Sequence, residues 1–247
     1  MEPAFRDAFL SRWRKYFGPS ELPITWEYTD ADRGAELARA TEDTRCLIDA
    51  LEAVRKGQSL RFDSASFGCA GGKYYCGYSK ALRRGIEEFL SHDAVGEGER
   101  YKKTPEIAGA AVKQVPHVAA SARQLVFKRW DALTAEDDPT VAVFFASPDV
   151  LSGLFTLAGY DESQTQVVIV PFGSGCSTII QYPLAECQSE HPRAVLGLLD
   201  VSARSLLSPD RLSFSVPLSK LRRMTENMDE SFLITDSWEK VRKRIST

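Results

Sequence analysis

Two short β-type runs in this chain each break off at a glycine- and cysteine-bearing turn and resume as a helix. The first, Ser59-Leu60-Arg61-Phe62, leads into Ser66-Phe67-Gly68-Cys69-Ala70-Gly71-Gly72-Lys73-Tyr74-Tyr75. The second, Val167-Val168-Ile169-Val170, leads into Pro171-Phe172-Gly173-Ser174-Gly175-Cys176-Ser177-Thr178. A strand that turns directly into a helix commits the chain to an α/β architecture. It also sets free backbone N–H groups and the positive end of a helix dipole toward open space. A thiol in that place is expected to have a lowered pKa and to react or ligate. Cys69 and Cys176 are therefore the candidate catalytic and metal-ligating residues. Around them, Gly68, Gly71, Gly72, Tyr74, Gly175, Ser177 and Arg204 are candidate cofactor-binding residues.

The chain reads as two halves with the same order of elements. In the first, a strand (Ile24 to Tyr28), a helix (Thr41 to Lys56) and a strand (Gln58 to Phe62) precede the Cys69 turn and a helix through about Phe89. In the second, a strand (Val141 to Phe145), a helix (Pro148 to Ala158) and a strand (Gln166 to Val170) precede the Cys176 turn and its helix. Gln124 to Lys128 and Leu212 to Val216 read as later, corresponding strands. This order fits α/β halves of β-α-β type, 1–135 and 136–247, joined in one compact unit, with internal duplication as one origin. Helices close both ends. The first stacks Phe5, Phe9, Trp13 and Phe17 at intervals of four, on one face, as a core or docking stripe. The last begins at a capping-box-like Asp236-x-x-Glu239 and buries Trp238, Val241 and Ile245.

Standard motifs fail at named positions. Gly68-Cys-Ala-Gly-Gly-Lys73 would be a phosphate loop only with Gly at Phe67 and Ser or Thr at Tyr74. The nucleophile-elbow pattern is broken because Gly directly precedes each cysteine. His92, His117 and His191 lie in no motif that supplies a base. No Cys-x-x-Cys or His-x-x-x-His is present, so the usual zinc and ferredoxin spacings are missing. Two thiolates meeting from the two halves would still hold a metal or an iron–sulfur cluster with other ligands, or form a redox disulfide. Filling of tight turns by small residues is the structural alternative. Cys46, Cys76 and Cys187 read as core thiols within helices. The glycines of Gly71-Gly72 and Gly173-x-Gly175 permit positive φ or close approach of a ligand. Arg204 either meets an anion or pairs with Asp200 one helical turn away.

Composition narrows the partners. A formal net charge of −3 argues against a nucleic-acid face, which must be basic. The terminal Lys240, Arg242, Lys243 and Arg244 suit the solvated end of a helix. No run reaches the ~18 apolar residues of a membrane span and no signal-type segment opens the chain, so a cytoplasmic location is expected. Five cysteines in a chain of this length are not a secreted disulfide framework.

Cys-Ala-Gly-Gly-x-Tyr-Tyr at Cys69, Pro-Phe-Gly-Ser-Gly-Cys-Ser-Thr at Cys176, Asp-Val-Ser-Ala-Arg at Asp200 and the tail Ser-Phe-Leu with Trp238 and Arg together resemble the uncharacterised "ArCR" family, domain of unknown function 169. The resemblance covers nearly the whole chain. It implies a soluble prokaryotic α/β protein with a cysteine in each half, and no activity. Cys76 looks particular to this chain.

The sequence thus predicts an α/β protein with a cleft between two similar halves, lined by the two turns. One function class is redox- or metal-linked, with an iron–sulfur cluster or another metal as cofactor. The other is a non-catalytic sensor or carrier of a small anion or small molecule. The expected partners are a small-molecule or metal ligand, not nucleic acid or membrane; a homo-oligomer stays open.

Overall fold

The structure, a computed structural model, describes residues 1–31, 38–39, 46–92 and 98–245. Its strands are β1 (Ile24–Thr29), β2 (Ala38–Arg39), β3 (Leu60–Phe62), β4 (Gln124–Arg129), β5 (Val141–Ala146), β6 (Val168–Ile169), β7 (Ala194–Gly197) and β8 (Leu212–Pro217). Its helices are α1 (Pro3–Phe17), α2 (Leu47–Arg55), α3 (Ala70–Tyr75), α4 (Ile86–Ser91), α5 (Pro105–Lys113), α6 (Pro148–Ala158), α7 (Tyr182–Glu186), α8 (Val201–Arg204), α9 (Leu218–Asn227) and α10 (Asp236–Ile245). A π-helix, Ser177–Gln181, runs directly into α7.

Among the described residues, the strands form one eight-stranded mixed sheet in the order β2-β3-β4-β1-β5-β8-β7-β6. β5 shows why it is covered on both sides: all six of its residues are buried. Val141, Val143 and Phe145 join one apolar core, while Ala142, Phe144 and Ala146 join the other. A period of two with both phases apolar is the mark of a strand sandwiched between layers.

On one face lie α1, α6, α9 and α10. The aromatic stripe of α1 is core: Phe9, Trp13 and Phe17 are fully buried, and Trp13 stacks on Phe17 with ring centroids 4.3 Å apart. Trp238 of α10 closes this layer, and its indole N–H donates to the Tyr16 carbonyl at 2.9 Å. α6 passes so near that a methyl group at Gly153 would sit 2.4 Å from the Trp238 ring. The other face carries α2, α3, the π-helix, α7 and α8 over Ile24, Trp26, Phe62 and Phe127. No helix among the described residues is long and apolar enough to cross a membrane.

The strand order runs symmetrically outward from the centre of the sheet. β1 and β5 pair antiparallel, with Ile24 opposite Val143. Outward from them come β4, β3, β2 on one side and β8, β7, β6 on the other, each series ending in a parallel pair. This pattern equates β3 with β7, whereas the sequence matching equated β3 with the strand at Gln166 to Val170. The two Gly-Cys turns therefore do not occupy equivalent places. The two-residue β2 is too short to register as a strand in sequence, and its omission shifted the alignment by one element.

Three boundaries also differ. The helix after Cys69 stops at Tyr75 because Gly77 takes φ +74°, while the Gly77 and Tyr78 amides close back on the Tyr74 and Lys73 carbonyls. A second helix, α4, begins only at Ile86. At the last helix Thr235, not Asp236, receives the capping bond, from the Trp238 amide at 3.4 Å. The first part of the helix read as Thr41 to Lys56, residues 41–45, lies outside the described residues; α2 itself ends where Gly57 at φ +102° takes the C′ position.

Candidate functional site

Cys69 stands at the N-cap of α3 with an extended backbone, φ −114° and ψ 121°, and is half-buried. Its side chain makes no capping bond. α3 is held from beneath by Gln181 of the π-helix, whose Nε2 donates to the Tyr75 carbonyl at 2.7 Å.

The second turn is built differently. Ser174, not Cys176, starts the helix: the Ser177 amide donates to Ser174 Oγ at 3.3 Å, and the Thr178 amide to the Ser174 carbonyl at 3.1 Å. Cys176 already has helical angles, φ −62° and ψ −41°, and is buried. Burial pushes its thiol pKa well up, and the nearby Cys76, Cys46 and Cys69 add to the shift. The expectation of a lowered pKa is thus reversed at Cys176, because the dipole of a short helix is outweighed by desolvation. Cys76, at the C-cap of α3, is wholly buried and shifted in the same direction for the same leading reason. Cys46 is the N-cap of α2 rather than a residue within it.

Gly175 is required by packing and not by φ. An added methyl would lie 2.5 Å from Leu198 Cδ2 and 3.2 Å from Ile48. Gly72 needs neither: its φ is not positive, and a methyl would meet Phe67 at 3.5 Å, an ordinary contact.

Between these turns and the insertion that carries α4 and α5 lies a cavity of about 290 Å³. One wall is apolar, with Leu82, Ile86, Phe89, Leu90, Ala108, Ala111, Val112 and Val115. The lining also includes Cys69, Gly71, Tyr75, Gly173, Ser174, Asp200 and Ser202. Glu99, Tyr101, Lys102 and Phe172 complete it. The rim is pinned at both ends. The Glu99 and Lys102 amides donate to the Phe89 and Leu90 carbonyls at 2.8 and 2.9 Å. The Ser202 amide donates to Tyr101 Oη at 2.8 Å, and Tyr101 packs edge-on against Phe172.

Electrostatics of the polar wall follow from its burial. Desolvation raises the Tyr75 phenol to about 12, with Cys176 adding and a Ser174 hydrogen bond opposing. Desolvation also raises the Asp200 carboxyl, against the pull of the Gly175 amide. Asp200 Oδ1 is buried and closes no hydrogen bond.

Of the residues singled out in the sequence, Cys69, Gly71, Gly173 and Asp200 line this cavity. Gly68 is exposed on the turn before it. Tyr74 faces away and stacks on His117 at 4.2 Å, where His117 Nε2 contacts the Ser79 carbonyl. Of the tyrosines expected to line a pocket beside the first turn, Tyr74, Tyr75 and Tyr78, Tyr75 is in the lining of this cavity. Ser177 is buried, donating to the Ser174 carbonyl at 2.8 Å. Arg204 neither pairs with Asp200 nor faces the cavity: its guanidinium donates to the carbonyls of Arg211, Ser208 and Pro209, closing the turn before β8. Ser174 was legible as a helix cap, since serine is a preferred capping residue. The apolar wall was not, because its residues are scattered through a segment of short helices and turns.

All five cysteines are free thiols. Among the described residues no group of three or more His, Cys, Asp or Glu side chains is arranged to hold a metal ion. The described residues therefore do not fit an iron–sulfur cluster or a structural zinc, which need about four ligands.

Fold and site together define an α/β protein whose described strands form one mixed sheet, with a mainly apolar cavity whose lining includes a cysteine, hydroxyls and a carboxylate. The chain belongs to the DUF169 family: the model of that family, described as Uncharacterised ArCR, matches residues 15–227. No curated protein and no solved structure matches the chain.

Proposed function

We propose that the chain is a small-molecule-binding protein, a carrier or sensor, whose ligand occupies the cavity between α3, α8 and the α4–α5 insertion. The observation that carries this is the make-up of the cavity lining: apolar side chains from α4, α5 and the segments beside them, together with the Cys69 thiol, Ser174, Ser202 and Asp200. A concave, mainly apolar pocket with a few convergent polar groups is the usual form of a ligand site. Its volume, about 290 Å³, is roughly twice the ~150 Å³ of an apolar cavity that holds benzene. The other large grooves, around Asp30 and Arg123 and around Arg55 and Ser208, are more open and more polar. An anionic ligand is disfavoured, because Asp200 and Glu99 face one lysine in the wall.

A second reading, thiol chemistry on the bound molecule, is favoured by one feature: Cys69 lines the cavity, while Cys76 and Cys176 are buried and outside its lining. A neutral environment-sensitive dye such as Nile red tests the first reading. Saturable one-to-one binding is expected, with loss in Ala111→Phe, which fills the cavity. Binding that is absent, or unchanged in that variant, rejects it.

A further inference from the structure

The charges on the cavity wall carry a conclusion about the ligand's head group, and it rests on the binding reading above. Asp200 has no cationic partner within ion-pairing distance among the described residues. The natural candidate, Arg204, one turn along α8, is committed to three backbone carbonyls. The hydrogen bonds offered to the carboxylate come from neutral groups, the Gly175 and Ala203 amides and the Ser202 hydroxyl, which lies 3.4 Å from Oδ2, and none of them carries a positive charge. A half-buried carboxylate without a cation is costly, and the cost is removed when a positive group arrives beside it. Glu99 adds a second negative charge to the same wall, against the single Lys102. The rim also accommodates a cation on its aromatic surface: Lys102 Nζ lies 3.6 Å from the Phe172 ring centroid.

We infer that the cavity selects a primary ammonium on an apolar body, with the ammonium at Asp200 and the body against the α4–α5 wall. Simple arylalkylamines and apolar amino acids share this chemistry. They differ in the carboxylate, for which Lys102 is the one cation in the wall.

Four matched probes separate the possibilities: 2-phenylethylamine, phenylalanine, 2-phenylethanol and 3-phenylpropionate, titrated calorimetrically into the full chain and into Asp200→Asn. Thermal melting of the variant checks that it is folded. The wild type is expected to bind one or both ammonium compounds roughly tenfold or more tightly than the alcohol, as suits a charge-assisted hydrogen bond. Asp200→Asn should erase that preference while still binding the alcohol. Preference for phenylalanine over phenylethylamine identifies an amino acid as the source; the reverse identifies a simple amine. Alcohol or propionate binding as tightly as both ammonium compounds, or an ammonium preference that survives in Asp200→Asn, overturns this inference and leaves the cavity as the site. No binding of any probe overturns both.

Discussion

Gln181 and Val118 exchange two hydrogen bonds: the Val118 amide donates to Gln181 Oε1 at 2.6 Å, and Gln181 Nε2 donates back to the Val118 carbonyl at 3.1 Å. The remaining Nε2 hydrogen goes to the Tyr75 carbonyl. One fully buried side chain in the π-helix thus joins α3, which bears the polar wall of the cavity, to the chain that leaves the apolar wall at Val115. π-helical turns are rare and recur at functional sites. Here the turn aims Gln181 at both segments.

Replacing Gln181 by Leu keeps the bulk and removes all three bonds. Buried groups left without partners cost about 1–3 kcal/mol each, and part of this is relieved where Val118 reaches water. A total loss of about 2–4 kcal/mol in urea unfolding is expected. Dye affinity should fall by more than in a core variant of equal stability remote from the cavity, such as one in α9. Equal affinity losses in the two would show that Gln181 is a packing residue with no part in shaping the site.

The cysteines separate by burial. Cys69 is half-buried on the cavity wall, whereas Cys76 and Cys176 are buried and desolvation pushes their thiols up. Thiolate is the reactive form, so iodoacetamide should modify Cys69 in native protein and leave Cys76 and Cys176 intact until unfolding. Cys187, raised to about 11, should also be slow at neutral pH. Saturating dye should protect Cys69. Peptide mass spectrometry after brief labelling reads all of this, and modification of Cys176 at the rate of Cys69 would contradict the structure.

Much of this fold was legible in the sequence because its signals are local. The stripe of Phe5, Phe9, Trp13 and Phe17 fixed α1 as an amphipathic helix, and the unbroken apolar run from Val141 to Phe145 fixed a strand covered on both faces. Glycine was read less well. Its use at Gly153 and Gly175 is set by Trp238 and Leu198, residues distant in sequence, so spacing says nothing about it. The site was half legible for the same reason. Cys69 and Gly71 announced themselves by turn chemistry, but a cavity wall drawn from α4, α5 and the segment at Tyr101 exists only after those pieces pack. Arg204 misled because a charge four residues from Asp200 suggests a helical pair, while α8 is a single turn that bends into Ser205. The carbonyls of the next turn outcompete the carboxylate for its guanidinium.

Asp200 gives the final expectation, on pH. Its folded pKa lies above the 3.8 of an ordinary carboxyl, burial being the largest cause. The folded state therefore binds the proton more tightly than the unfolded state does. Stability attributable to this group is greatest at low pH and declines as pH rises from about 4 through the folded pKa, above which the carboxylate is charged in both states and the burial penalty is fully expressed. Asp200→Asn keeps the shape and never ionises. At neutral pH in ligand-free protein it should melt at or above the wild-type temperature, and its advantage should shrink as the pH approaches 4. A saturating ammonium ligand should reverse the order at neutral pH, since only the wild type gains its counter-charge. Melting curves of both proteins at several pH values, with and without 2-phenylethylamine, supply the comparison. An Asn variant that melts below ligand-free wild type at neutral pH would mean that Asp200 is retained as a cap for α8, with its charge already balanced by the protein.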